Sequence, residues 1–195
     1  MRIIGVTGGI GSGKSLVCKM FETLGIPVYY ADQEAKRLMN EDPQLISAIR
    51  KLAGPKAYDD QGRLDRRFLA GKVFNDKAQL ARLNAIVHPA TIADSRTWAE
   101  RQTAPYVLKE AALLFESSAF HYVDQVIGVY APVTLRLHRA MKRDGISKSD
   151  VQKRMANQIN EEIKMRLCDF VLYNDESRPL IPQVLHLHQQ LQSGS

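Results

Sequence analysis

The chain has 195 residues, 45% of them hydrophobic and 25% charged, with a formal net charge of +6. Those values are ordinary for a soluble globular protein. The length suits one domain, or one core with insertions, that needs neither disulfide nor metal to hold it together. The two cysteines, Cys18 and Cys168, share no local motif and are expected as reduced, buried thiols. The chain opens on a strand-like segment and has no cleavable apolar region or long apolar run, so a cytoplasmic protein is expected.

"RIIGVT" (2–7) predicts a buried first strand running into a Gly-rich loop. Val17, Met20, Phe21 and Leu24 have helical spacing over 14–24, and Gly25 is the stop. "IPVYYAD" (26–32) reads as a second strand ending at Asp32, with a helix over 31–39. Residues 43–104 read as mostly helical, broken by the Gly-containing turn in "YDDQGRLDRR" and again at "LNAIVHP", because proline disfavours α conformation in the residue before it. "PYVLKEAALLF" opens with a third strand, and "DQVIGVYAP" is a fourth. A helix over 133–143 follows, then one capped by Ser147 with Asp150 at its third position. "DFVLYN" is a fifth strand, and a last helix covers 180–191 before a "QQLQSGS" tail expected to fray.

Strands alternating with helices predict an α/β fold with a parallel sheet covered on both faces. The strandless stretch 43–104 is long for one crossover and reads as an inserted helical subdomain.

The loop carries the first chemistry. Residues 8–15 fit G-x-x-x-x-G-K-[ST], placed between a strand and a helix as the motif requires. Gly8, Gly11 and Gly13 let the backbone turn closely around an anion. Successive N–H groups and the helix N-terminus then point at phosphate oxygens. Lys14 is expected to reach the β- and γ-phosphates, and the Ser15 hydroxyl to ligate Mg²⁺.

The class of phosphate-loop protein follows by elimination. "DDQG" (59–62) matches a GTPase D-x-x-G by letters only. It follows no apolar strand and reads as a surface turn, and no N-K-x-D guanine reader occurs. Larger motor ATPases show an apolar strand ending in adjacent acids, whereas the third strand here ends at Glu110 alone. A small-molecule kinase with a mobile lid remains.

Asp32 is placed to orient an acceptor hydroxyl in line with the γ-phosphate, as a general base. A helix-capping role is compatible with the same position. Residues 134–168 hold nine basic residues against four acidic ones. Arg139 and Arg143 share one helical face, and Arg154 follows on the next helix. Arginines on a closing lid neutralise the transferring phosphoryl group and exclude water. Two readings stay open beside this one: a kinase for another small alcohol, and a nucleic-acid- or nucleotide-binding regulator using the basic segment. The second is disfavoured because no module with interleaved aromatics is visible.

The stretches "IGVTGGIGSGKS", "LGIPVYYAD", "DQGRLDRRFLAGKVF", "LNAIVHP", "LLFE", "LHRAMKRDG", "RMANQ" and "DFVLYN" together resemble the dephospho-coenzyme A kinase family from end to end. The resemblance implies a P-loop nucleotide-kinase-like core with a five-stranded parallel sheet (1–42, 105–133 and 169–195). It adds a helical CoA-binding subdomain (about 43–104) and a helical lid (about 134–168). It implies transfer of the ATP γ-phosphate to the ribose 3′-hydroxyl of dephospho-CoA, the last step of coenzyme A biosynthesis, with Mg²⁺. Gly8, Gly9, Ile10, Gly11, Ser12, Gly13, Lys14, Ser15 and Leu16 would hold ATP, and Asp32 would be the base. Arg139 would reach the phosphates from the lid, with Arg143 by the adenine or phosphates and Asn174 in the adenine region. Arg66 and His88 match acceptor-side positions. A monomer is expected, weak self-association being left open, with no nucleic-acid or membrane partner.

Two positions depart from the family pattern. Leu16 stands where a threonine is usual, so phosphate contact there falls to the backbone N–H. "EAALLFE" stands for D-I-P-L-L-F-E, so Glu110 keeps the carboxylate while Ala112 loses a proline-fixed turn. The carboxylate there could help hold Mg²⁺ through water. His186 and His188, two apart on a helix, do not face each other and are not read as metal ligands. His121 and His138 read as ordinary residues, and Trp98 as packing within the helical subdomain.

Overall fold

The computed structural model describes residues 1–73 and 76–193. Five short runs rich in Val, Ile, Leu and Tyr form strands: β1 (Ile3–Thr7), β2 (Val28–Tyr30), β3 (Val107–Glu110), β4 (Gln125–Tyr130) and β5 (Phe170–Tyr173). All pair in parallel, in the order β2-β3-β1-β4-β5. Parallel neighbours need crossovers, and helices supply them: α1 (Lys14–Thr23), α2 (Ala31–Glu41), α3 (Pro43–Ala53), α4 (Arg66–Val73), α5 (Lys77–Glu100), α6 (Val133–Asp144), α7 (Lys148–Met155), α8 (Glu161–Arg166) and α9 (Leu180–Ser193). Among the described residues no helix is long and apolar enough to cross a membrane.

The chain divides into two compact units, 1–30 with 98–195, and 31–97. In the first, alternate residues of each strand face opposite ways. Ile4, Val6, Leu108, Ile127, Val129 and Leu172 meet Val17 and Phe21 of α1 and Val184, Leu187 and Leu191 of α9 in one buried core. On the other face the sheet is lined with glycines where neighbours come close. A β-carbon on Gly128 would meet the sulfurs of Cys168 and Met165, and one on Gly5 would meet Leu114 and Val123. Both cysteines are free thiols, Cys18 buried and Cys168 partly so, and burial pushes both thiol pKa values up, that of Cys168 to about 12.

The sheet has two edge strands, β2 and β5. On β5 the side-chain amide of Gln183 accepts the N–H of Tyr173 at 2.9 Å and donates to the Tyr173 carbonyl at 3.0 Å.

The second unit packs Leu38, Leu45, Ile49, Tyr58, Leu69, Leu83 and Val87 into its own core. Asp42 caps α3 by accepting the N–H groups of Gln44 and Leu45, with Pro43 at the first helical position. "DDQG" is a surface turn, as expected. Asp59 accepts the N–H groups of Gln61 and Arg63, and Gly62 adopts φ 75°.

Several expectations are corrected. The helix that was to stop at "LNAIVHP" runs on through Pro89 to Glu100. An interior proline removes one helical hydrogen bond. Here Leu83, Val87, Thr91 and Ser95 form a buried stripe at spacing four that spans the break, and Pro89 lies on the exposed side. The Thr91 hydroxyl donates to the Val87 carbonyl at 2.9 Å. Trp98, in the last turn of α5, belongs to the first unit rather than the helical one, its ring 5.4 Å from that of Tyr29 in β2. In the tail, α9 continues to Ser193, whose hydroxyl donates to the Gln189 carbonyl, while 194 and 195 lie outside the described residues. Ser147 caps α7 as expected, accepting the Asp150 N–H.

Candidate functional site

The phosphate loop sits between β1 and α1 because three glycines allow what other residues would not. Gly11 and Gly13 adopt φ 78° and 99°, the left-handed region that side chains disfavour. A β-carbon on Gly11 would also fall on the Arg136 carbonyl, and one on Gly13 on the Asn174 side-chain nitrogen. Within the loop the Ser12 N–H donates to the Gly9 carbonyl at 3.1 Å. The Lys14 ammonium, buried, donates to the Gly8 carbonyl at 3.0 Å and lies 3.4 Å from that of Gly9. The first turn of α1 has N–H groups with no partner inside the helix, which together with the helix dipole attract an anion. The Leu16 N–H turns inward instead, to the Gly13 carbonyl at 3.0 Å, and its side chain is exposed.

Of the remaining predicted residues, Asn174 is brought to the loop and Arg139 to Asn174. The Asn174 side chain donates to the Ser12 carbonyl at 2.8 Å. Arg139 donates to the Asn174 carbonyl at 3.1 Å and pairs with Glu176 at 2.9 Å. Arg143 takes a different partner. It and Arg154 both bind Asp144, at 2.7 and 2.9 Å, which ties α6 to α7. The Arg143 hydrogen bond holds the Asp144 carboxyl below its ordinary range.

Asp32 does not end the second strand. β2 stops at Tyr30, and Asp32 lies in the first turn of α2, where a carboxylate complements the helix dipole. Nor is β2 the neighbour of β1: β3 lies between them, and Glu110 at the end of β3 stands opposite both Val6 and Tyr30. The carboxylate at the strand end beside β1 is therefore Glu110, which is buried. In the second unit, Arg66 opens α4 and is exposed. His88 lies midway along α5, half-buried, and burial lowers its pKa.

With this geometry in place, comparison with known proteins is decisive. The family model for dephospho-CoA kinase matches residues 2–179. The chain belongs to the dephospho-CoA kinase family. It is 37% identical over 185 residues to a dephospho-CoA kinase of Bacteroides fragilis, covering 94% of this chain and 90% of that protein. It is 40% identical to that of Salinibacter ruber over 178 residues, 90% and 89% of the two chains. Among solved structures, a Thermus thermophilus protein aligns with TM-score 0.86 at 35% identity, over 97% and 96% of the two chains. The dephospho-CoA kinase of Campylobacter jejuni aligns with TM-score 0.72 at 28% identity, over 100% and 99%. A shikimate kinase of Acinetobacter baumannii shares the fold alone, with TM-score 0.55 at 15% identity. The family makes this chain an ATP-using kinase.

Several buried or loop-contacting residues carry no local signal in the sequence. Glu161 and Gln158 accept loop N–H groups, Arg136 is buried against the loop, and Lys109 and Lys164 are buried in the core unit. Lys109 sits with its ammonium 5.9 Å from the centre of the Tyr29 ring, and burial pushes its pKa down to about 8. Arg136 stood among the counted basic residues and Gln158 in "RMANQ", but only the folded chain assigns them partners.

Proposed function

We propose that this kinase transfers the γ-phosphoryl group of ATP to the ribose 3′-hydroxyl of dephospho-CoA, releasing ADP and CoA in the last step of coenzyme A biosynthesis. The observation that carries the reading is a family match over nearly the whole chain, on a loop shaped to hold phosphate.

The Lys14 ammonium and the N–H groups of Gly11, Gly13, Lys14 and Ser15 hold the triphosphate, those of Ser12 and Leu16 being taken up by the Gly9 and Gly13 carbonyls. Asp32 accepts the proton of the 3′-hydroxyl as its oxygen bonds to the γ-phosphorus and the bond from that phosphorus to the β-phosphate oxygen breaks. Arg66 and His88 serve the acceptor side. Arg139 stabilises charge on the transferring group, Asn174 lies towards the adenine, and Arg143 lies by the adenine or the phosphates. Residues 43–104 act as the acceptor-binding subdomain and 134–168 as the lid.

The donor set fits Mg²⁺, which prefers oxygen ligands and is commonly shared between one or two protein oxygens and the nucleotide phosphates. The Ser15 hydroxyl supplies one oxygen, and the Glu110 carboxylate another through water. When bound, the ion neutralises charge on the β- and γ-phosphate oxygens.

Coupled detection of ADP with and without dephospho-CoA tests the reading. Release that depends on dephospho-CoA is expected. Release with a different alcohol alone, or none with any acceptor, overturns it.

A further inference from the structure

Two side chains far along the chain take up consecutive amides of the phosphate loop. Gln158 Oε1 accepts the Ile10 N–H at 2.9 Å, and Glu161 Oε1 accepts the Gly9 N–H at 3.2 Å. Both lie where the chain returns from α7 through α8 to the sheet. The second oxygen of Glu161 lies 3.5 Å from the Arg136 guanidinium, and both side chains are largely buried. Arg136 is itself fixed, donating from Nε to the Ala131 carbonyl at 3.1 Å. A β-carbon on Gly9 would fall on this pair, so the loop is packed against it without slack.

The same segment is anchored from behind. Gln158 Nε2 donates to the Ala112 carbonyl at 3.2 Å, and the Lys164 ammonium donates to that carbonyl at 3.1 Å. Lys164 also pairs with Glu116 at 3.0 Å, and Glu116 accepts the Ile159 N–H at 2.9 Å. Residues 158–164 are thus bonded on one side to the loop and on the other to the turn after β3.

We propose that Glu161 and Gln158 are positioning residues for ATP. By accepting the N–H groups of Gly9 and Ile10 they fix the first half of the loop. The N–H groups that follow then converge on the triphosphate with little left to order when it binds. Arg136 offsets the charge that Glu161 would otherwise place beside an anion site. The inference rests on the reading that this loop holds the ATP phosphates. Glu161 invites an opposite role, as an internal anion that occupies the loop and leaves when ATP arrives, and the two roles predict opposite changes in affinity.

The experiment measures ATP affinity by calorimetry, with kcat and the KM of each substrate, for the full-length wild type and for Glu161→Ala, Glu161→Gln and Gln158→Ala. Thermal midpoints are measured alongside. Weaker ATP binding and a raised ATP KM, on the order of 10-fold in Glu161→Ala, are expected, with kcat and the acceptor KM nearly unchanged. Glu161→Gln keeps an oxygen for the Gly9 N–H and should recover most of the loss. Gln158→Ala should weaken ATP in the same selective way, which keeps the test open should Glu161→Ala fold poorly. Tighter ATP binding in Glu161→Ala overturns the proposal in favour of the internal anion. Unchanged affinity in all variants overturns it, as does a loss of kcat and both KM values in step with the thermal midpoint. A wild type that binds no ATP overturns the phosphate reading itself, a failure distinct from the others.

Discussion

Asn174 donates its side-chain amide to the Ser12 carbonyl, and the space that a β-carbon on Gly13 would need is filled by that same amide nitrogen. The segment after β5 is thereby locked to the phosphate loop by one hydrogen bond and one missing side chain. Asn174→Ala removes the bond and leaves the glycine intact. The ATP KM should rise roughly 3- to 10-fold, the worth of one hydrogen bond, with kcat little changed. Steady-state kinetics at saturating acceptor check this.

Asp32→Asn keeps size and polarity in the first turn of α2 but cannot take a proton. If Asp32 is the base, kcat should fall about 10²- to 10⁴-fold while ATP affinity holds. Single-turnover ADP formation alongside ATP titration separates the two. Wild-type turnover in Asp32→Asn would remove the assignment.

Lys164 is fully buried and pairs with Glu116, itself largely buried. Removing one partner strands the other charge. Lys164→Met should cost about 3–5 kcal/mol in urea unfolding, and Lys164→Met with Glu116→Gln should cost less than the lysine change alone.

Glu176 is the one non-glycine among the described residues with positive φ, at 66°. Glu176→Gly and Glu176→Ala both lose the ion pair to Arg139, so only the backbone differs between them. Glu176→Gly should be the more stable by about 1 kcal/mol in thermal unfolding.

Lys109 has a pKa of about 8 against an ordinary 10.5. Below pH 8 both folded and unfolded chains carry the proton, and the fold bears the desolvation cost of the buried ammonium. Between pH 8 and 10.5 the folded chain releases the proton while the unfolded chain keeps it, so stability rises with pH. Relative to Lys109→Met, the wild type should gain about 3 kcal/mol from pH 7 to pH 11. Urea unfolding of both proteins across that range checks the slope.

Local signals were legible in the sequence. The glycines of the loop, the Ser147 cap, the turn at Asp59 and the five apolar runs each act through neighbouring residues, and all are found. What failed depended on distant contacts. Pro89 marks a break by local rules, yet a buried stripe at every fourth residue carries α5 past it. Asp32 looked like a strand end because "YYAD" does not reveal where pairing with β3 stops. Strand order is not encoded locally either, so Glu110 was not seen to stand next to β1. Nothing local in the sequence singles out Lys109, Lys164 or Glu161 for burial, because charged residues usually lie at the surface. Only their partners, many tens of residues away, made burial tolerable. Spacing groups Arg139, Arg143 and Arg154 together, whereas Asp144 binds Arg143 and Arg154 while Arg139 turns to Asn174 and Glu176.

The amide of Gln183 meets the outward backbone of Tyr173 as the next strand would, supplying one donor and one acceptor. A parallel sheet with a bare margin is a template on which a foreign extended peptide can add itself. By spending a single side chain on that margin, the kinase removes one rung from the ladder such a peptide would climb. The same short segment carries Asn174, so the margin is closed one residue before the chain reaches the phosphate loop.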